Sequence, residues 1–192
     1  MSPSLRRGAA ALGVALVAVG CVQTAKGGVQ PLKAMIGQWL LEAAWQDTRA
    51  NGVPAKPWAW ADVSPAAHLS VPRTGDSAVV LGSASGEAMA WGPGHVPGSA
   101  PLGGAGLAAI AGHRDSHLAF LAQLRPGDEI RLETVDGRIS RYRVRDAVVV
   151  DARVWRLPVR HEGAGALALS TCWPFASDFE GPLRFVLTAE EV

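Results

Sequence analysis

Short apolar runs, punctuated by Pro and Gly, recur from residue 67 to the C-terminus, and this punctuation restricts the fold more than any other property of the chain. The runs are Ala67–Val71, stopped by Pro72; Ser77–Leu81, followed by Gly82; Leu107–Ala111, followed by Gly112; Glu129–Thr134, preceded by Pro126-Gly127; Arg138–Val150; Ala166–Thr171; and Arg184–Ala189. In all, 22 Gly and 13 Pro occupy 35 of the 192 positions, against a usual share of about 12%. Helices do not tolerate breakers at that spacing, whereas strands joined by turns need them. Asp136-Gly137, between two of the runs, is a hairpin signal. Seven or so such strands predict a mainly β domain, a barrel or a sandwich.

Two segments carry helical signals instead. Leu32, Met35, Ile36, Trp39, Leu40, Ala43 and Ala44 fall at spacings of three and four, with Pro31 before them and Gly52 and Pro54 after, which predicts an amphipathic helix over 31–49. Ser116 to Gln123 has room for one or two helical turns after Asp115 as a cap. Val53 to Ser64 has no periodicity and is rich in Pro, Ala and Trp, so it is expected to be a linker. Val144 to Val154 is apolar and β-branched, too short and too charged to span a membrane, and is expected to be a long core strand. The Gly/Pro-rich stretch from Trp91 to Gly106 is expected to be an irregular excursion.

The N-terminus has a different character. Arg6-Arg7 precede fifteen residues without a charge, Gly8 to Val22, where a full membrane span takes about 20 apolar residues. An uncleaved anchor, a cleaved signal peptide and a lipoprotein signal at Cys21 all fit this layout. Each puts the rest of the chain outside the cytoplasm. The expected organisation is an anchor or export signal over 1–30, a helix and linker over 31–65, and a β domain over 66–192. With 18 Lys plus Arg against 17 Asp plus Glu, a net charge of +1, no global field draws the chain to nucleic acid.

Chemistry is sought where strands end. Ala166 to Thr171 delivers Cys172 to the surface just before Trp173-Pro174, because Pro cannot continue strand pairing. The other cysteine, Cys21, lies in the N-terminal apolar segment, so Cys172 is left as an unpaired thiol. Ala109 to Ala111 likewise ends at Gly112-His113, and an imidazole can serve as acid or base near neutral pH. Arg184 sits in an alternating strand, where a guanidinium either faces solvent or pairs at a site; beside a thiolate it would steady an oxyanion. His113 and His117 have a spacing that can bind zinc, but no third ligand is evident, so no metal and no cofactor are expected.

Ala109-Ile110-Ala111-Gly112-His113-Arg114-Asp115, the Thr171-Cys172-Trp173-Pro174-Phe175 element about sixty residues later and Arg184 on the next strand together resemble the sortases. The likeness is greatest to those of Gram-negative bacteria, through Ser70-Val71-Pro72-Arg73, Gly92-Pro93-Gly94-His95 and Leu124-Arg125-Pro126-Gly127-Asp128 as well. It implies a closed β-barrel of about eight strands with short helices and an N-terminal helix. It implies a cysteine transpeptidase, single-pass in the inner membrane, acting outside the cytoplasm on a substrate protein with a C-terminal sorting signal similar to Leu-Pro-x-Thr-Gly, and on an amine acceptor. Hydrolysis by a cysteine peptidase and a non-catalytic tethered β-domain are the alternatives.

By the same likeness Cys172 matches the nucleophile, His113 the general acid and base, and Arg184 the cation that holds substrate and oxyanion. Thr171 matches a position shaping the substrate pocket, and Asp115 an orienting or structural acid. Ala168 departs from the family pattern, which has Thr there, and packing is expected to absorb the change.

Overall fold

The computed structural model describes residues 36–177 and 181–192. The apolar run 8–22, Cys21, Leu32 and Met35 lie outside the described residues, so the expectations about them stay where the sequence put them. Among the described residues no helix is long and apolar enough to cross a membrane. The chain divides into two compact units, Met1–Gln38 and Trp39–Val192, and all eight strands belong to the second.

These strands close into a barrel: β1 (Pro65–Val71), β2 (Asp76–Leu81), β3 (Gly94–His95), β4 (Leu107–Ala111), β5 (Glu129–Thr134), β6 (Ile139–Asp151), β7 (Ala166–Cys172) and β8 (Leu183–Glu191). Around the barrel their order is β1-β2-β3-β4-β7-β8-β6-β5. Closure gives each strand two neighbours, which removes the free edges of an open sheet except along the outer half of β6. Neighbours pair antiparallel except β2 with β3 and β4 with β7. The β4–β7 pairing sets two strand ends side by side, although they are far apart in sequence.

Alternation along each strand divides the apolar residues between two faces. Leu69, Val80, Ile110, Ile130, Leu132, Tyr142, Leu167, Leu169 and Leu187 point inward and fill the barrel. Leu118, Phe120 and Leu121 join them from the segment holding the 3-10 helix Ala119–Gln123, which realises the helical turns expected after Asp115. A second cluster, Leu107, Ala109, Ala166 and Ala168, lies on the opposite face of β4 and β7 beneath Val96 and Leu157. Ala168 is buried there, so the small residue is absorbed by packing.

Helix α1 occupies the described residues 36–51 and presents another face than expected. Gly37, Leu41, Ala44, Trp45 and Thr48 are the buried residues, while Trp39 is 70% exposed and Ala43 is exposed. Trp45 stacks on His68 of β1, and Arg49 pairs with Glu133 of β5 at 2.8 Å. The periodicity located the helix but not its contact stripe, because two apolar stripes share the same turns. A short helix α2, Gly86–Met89, which no sequence signal announced, packs Ala88 against Leu41 and Leu81. The linker is not bare: Val63 joins that cluster, and Trp58 meets Trp91 edge-on.

The long strand β6 corrects one expectation. Only Tyr142 and Val144 are buried; Val148 and Val149 are 41% and 45% exposed. Pairing with β5 stops at Arg143, a shift in register falls between Val144 and Asp146, and from there β6 pairs with β8 alone. The valine run is therefore an outer strand that continues beyond the core.

Candidate active site

Strand register assembles the site. Ala111 of β4 lies beside Ser170 of β7 in the parallel pair, so the residues two further on, His113 and Cys172, follow side by side. Two hydrogen bonds continue the pairing past the strand end: Gly112 N–H donates to Ser170 O at 3.2 Å, and the Thr171 hydroxyl donates to Gly112 O at 2.7 Å. On the other flank Cys172 stands directly opposite Arg184 of β8. Residues facing each other across an antiparallel pair have Cβ atoms about 5 Å apart on one face of the sheet. The thiol thus has the imidazole segment on one side and the guanidinium on the other.

These three side chains line one cavity of about 530 Å³, together with Arg114, Asp115, Gly181 and Pro182. By alternation, Cys172 and Arg184 share the outer face of the barrel wall with Ala168, whereas Leu169 and Leu187 face inward. The thiol is half-buried at the last residue of β7, and it is the free cysteine among the described residues. Arg184 is held in place through one nitrogen: Nη1 donates to Gly181 O at 2.7 Å and Leu183 O at 2.9 Å. Asp115 is exposed at the cavity and lies near His113 and His117.

Thr171 is 2% exposed and does not line the cavity. Its position makes it the tie between the cysteine strand and the histidine turn. Gly112 suits that tie because a Cβ there would come within 3.0–3.1 Å of Leu118 and Pro93. Leu118 N–H then donates to His113 O at 3.1 Å and closes the turn. This folds His117 back toward His113. Burial pushes the His117 imidazole down from its ordinary pKa, the charge of His113 adds to that, and Asp115 opposes it. No group of three or more potential metal-ligating side chains occurs among the described residues.

Two other motifs of the sequence, those holding Arg73 and Asp128, meet each other. Arg73 donates to both oxygens of Asp128, at 2.6 and 2.8 Å, and to Gln123 O at 2.7 Å, while Asp128 accepts from Arg125 N–H at 2.7 Å. The guanidinium holds the Asp128 carboxyl below the usual carboxylate range. This clamp fastens the end of the segment that begins at His113. In the remaining motif, Gly94 pairs with both Leu81 and Ala111 as β3, where a Cβ would collide with Ser83 O at 2.0 Å. The His95 ring nitrogen Nε2 sits 2.9 Å from Ala100 O and 3.0 Å from Ser99 Oγ, away from the thiol cavity. The sequence did not single out Arg114; its adjacency to His113 at a strand end was the available signal.

Trp173, Phe175 and Phe185 form an aromatic cluster next to the site, with Trp173 stacked on Phe185 at 6.0 Å and Phe175 edge-on to both. The Trp173–Pro174 peptide is cis. Phe175 and Phe185 pack on the inner core, so the chain leaving Cys172 is anchored immediately.

The structure is thus a small closed barrel whose one described thiol lines a cavity on the outer face of the wall. The chain belongs to the sortase family, cysteine transpeptidases by class, whose Sortase domain profile matches residues 69–192. The fold is similar to that of a Clostridium perfringens sortase D5 transpeptidase, at 21% identity over 67% of this chain and 79% of that one, TM-score 0.57. A lid mutant of sortase A from Corynebacterium diphtheriae is 20% identical over 82% and 94% of the two chains, TM-score 0.61. The Group B Streptococcus pilus island 1 sortase C2 is 19% identical over 66% and 73%, TM-score 0.57. A comparison with curated protein sequences found no match.

Proposed function

We propose that this sortase attacks a peptide carbonyl with the Cys172 thiolate, holds the acyl group as a thioester and passes it to an amine. The observation that carries the reading is that Cys172, His113 and Arg184 line one cavity. The thiolate is the attacking form of a cysteine, and a neighbouring cation favours it. Addition to the carbonyl puts a negative charge on its oxygen, which the Arg184 guanidinium and nearby backbone N–H groups stabilise. Collapse breaks the C–N bond, and the leaving amine takes its proton from His113. The incoming amine gives a proton back to His113 as it displaces the thiol, so one imidazole serves both halves.

Asp115 and Thr171 support the site in this reading: Thr171 by tying the two strand ends, Asp115 by its charge beside the imidazoles. The substrate is a protein with a C-terminal sorting signal, and the sequence motifs favour kinship with the sortases of Gram-negative bacteria. The apolar run 8–22 tethers the domain on the outer side of the inner membrane.

The test is intact-mass spectrometry of the protein with a randomised peptide library, with and without hydroxylamine as the amine. An adduct on Cys172 that hydroxylamine releases as a hydroxamate supports transfer. Products unchanged by the amine assign the cavity to hydrolysis, and an adduct that persists in Cys172→Ala sinks the reading.

A further inference from the structure

A second cavity, of about 320 Å³, adjoins the first. Its floor is the outer face of the barrel wall, with Val150, Ser170, Arg184 and Val186; its roof is the segment after β6, with Ala152, Trp155, Arg156 and Leu157. Arg184 lines both cavities, so the second leads to the thiol. Its walls are apolar, but it carries two guanidinium groups, Arg156 and Arg184, and no carboxylate among its described lining residues.

Among the described residues, the local acids do not neutralise Arg156. Asp151, which opens the segment, is gripped by Arg153 through Nε and Nη2. Arg156 instead donates through Nη1 to Ala152 O at 3.0 Å and Trp155 O at 2.8 Å. Those bonds fix the guanidinium over the roof and leave Nε and Nη2 outside them. A fixed guanidinium with two adjacent donors matches the planar fork of a carboxylate.

We propose that Arg156 selects the acyl donor, which carries an Asp or Glu side chain near the scissile bond. Its carboxylate sits on Arg156, and a neighbouring apolar side chain sits against Val150, Leu157 and Val186. Charge complementarity favours an acidic peptide in the groove, because a basic one would meet two like charges and, among the described lining residues, no anion. The inference rests on the reading of Cys172 as the nucleophile, and the two fail separately.

The experiment incubates the full chain with a peptide library randomised over six positions and sequences what is attached to Cys172 by mass spectrometry. The expected result is enrichment of Asp or Glu at one position by about five- to tenfold, the scale of one partly exposed charge-assisted contact. Arg156→Glu is expected to reverse that preference toward Lys or Arg, and Arg156→Lys to keep part of it, with the melting temperature of both variants unchanged. Adducts without acidic enrichment, or the same enrichment in Arg156→Glu, overturn the role of Arg156 and leave the nucleophile standing. No adduct on Cys172 with any peptide overturns both.

Discussion

The two faces of β7 differ in what they are made of, and that difference separates stability from chemistry. Leu167 and Leu169 face inward, fully buried in the core. Ala166, Ala168, Ser170 and Cys172 alternate with them on the outer face, and all are small. Bulky residues inside close the barrel. Small ones outside leave room for the segment after β6 to lie over the wall and enclose a cavity beside Arg184. One strand therefore carries the core on one side and the thiol on the other, and mutations on the two sides should have separable effects.

The largest expected effect is on the outer face. Cys172→Ala should abolish acyl-enzyme formation, a loss of at least about a thousandfold in rate, while circular dichroism and the melting temperature stay as in the parent. Loss of the fold would break the comparison. Arg184→Lys keeps the charge but not the planar fork and should lower kcat/KM by about a hundredfold, the scale of losing one oxyanion donor, with little change in stability.

On the inner face, Leu169→Ala should cost about 2–5 kcal/mol of unfolding free energy, seen as a lower urea midpoint. Turnover per folded molecule should remain near parental at low temperature; a proportional loss of turnover would show that the faces are not independent. Thr171→Val tests the crossing point between them. Loss of its bond to Gly112 O should remove about 1 kcal/mol of stability and lower kcat about tenfold with KM steady, because it loosens the His113 turn relative to Cys172. Thr171→Ser should restore both.

The smallest effect is electrostatic. Since the folded pKa of His117 lies below the ordinary value of 6.5, protonation favours the unfolded chain. Its contribution is intact above about pH 6.5 and stability falls as the pH drops below it. His117→Gln should flatten that part of a plot of urea midpoint against pH. An unchanged slope would place its origin in other groups.

Much of the fold was legible because strand ends coincide with breakers. The expected and observed limits agree for Leu107–Ala111 and Glu129–Thr134, and β7 ends on Cys172 as Pro174 requires. What escaped was decided by partners distant in sequence. Gly94–His95 is too short and glycine-rich to read as a strand, and becomes one because Leu81 and Ala111 flank it. Val148 and Val149 read as core, yet they lie past the end of β5. The candidate residues could be named from the sequence, but their meeting in one cavity depends on two registers, Ala111 beside Ser170 and Cys172 opposite Arg184, and neither is written in local pattern. Thr171 reads as a pocket residue, yet its hydroxyl bridges two chain segments.

The outer half of β6 also bears on how the domain behaves at high concentration. Residues 146–151 pair with β8 on one side only among the described strands, and a valine-bearing edge of that kind invites a second sheet to add to it. Charges blunt it. Arg145 is paired with Glu190 at one end, Asp151 with Arg153 at the other, and Asp146 turns its carboxylate onto the Ala147 N–H. Replacing Asp146 with an apolar residue would remove a gatekeeper, so colloidal solubility depends on this bend in β6 as well as on net charge.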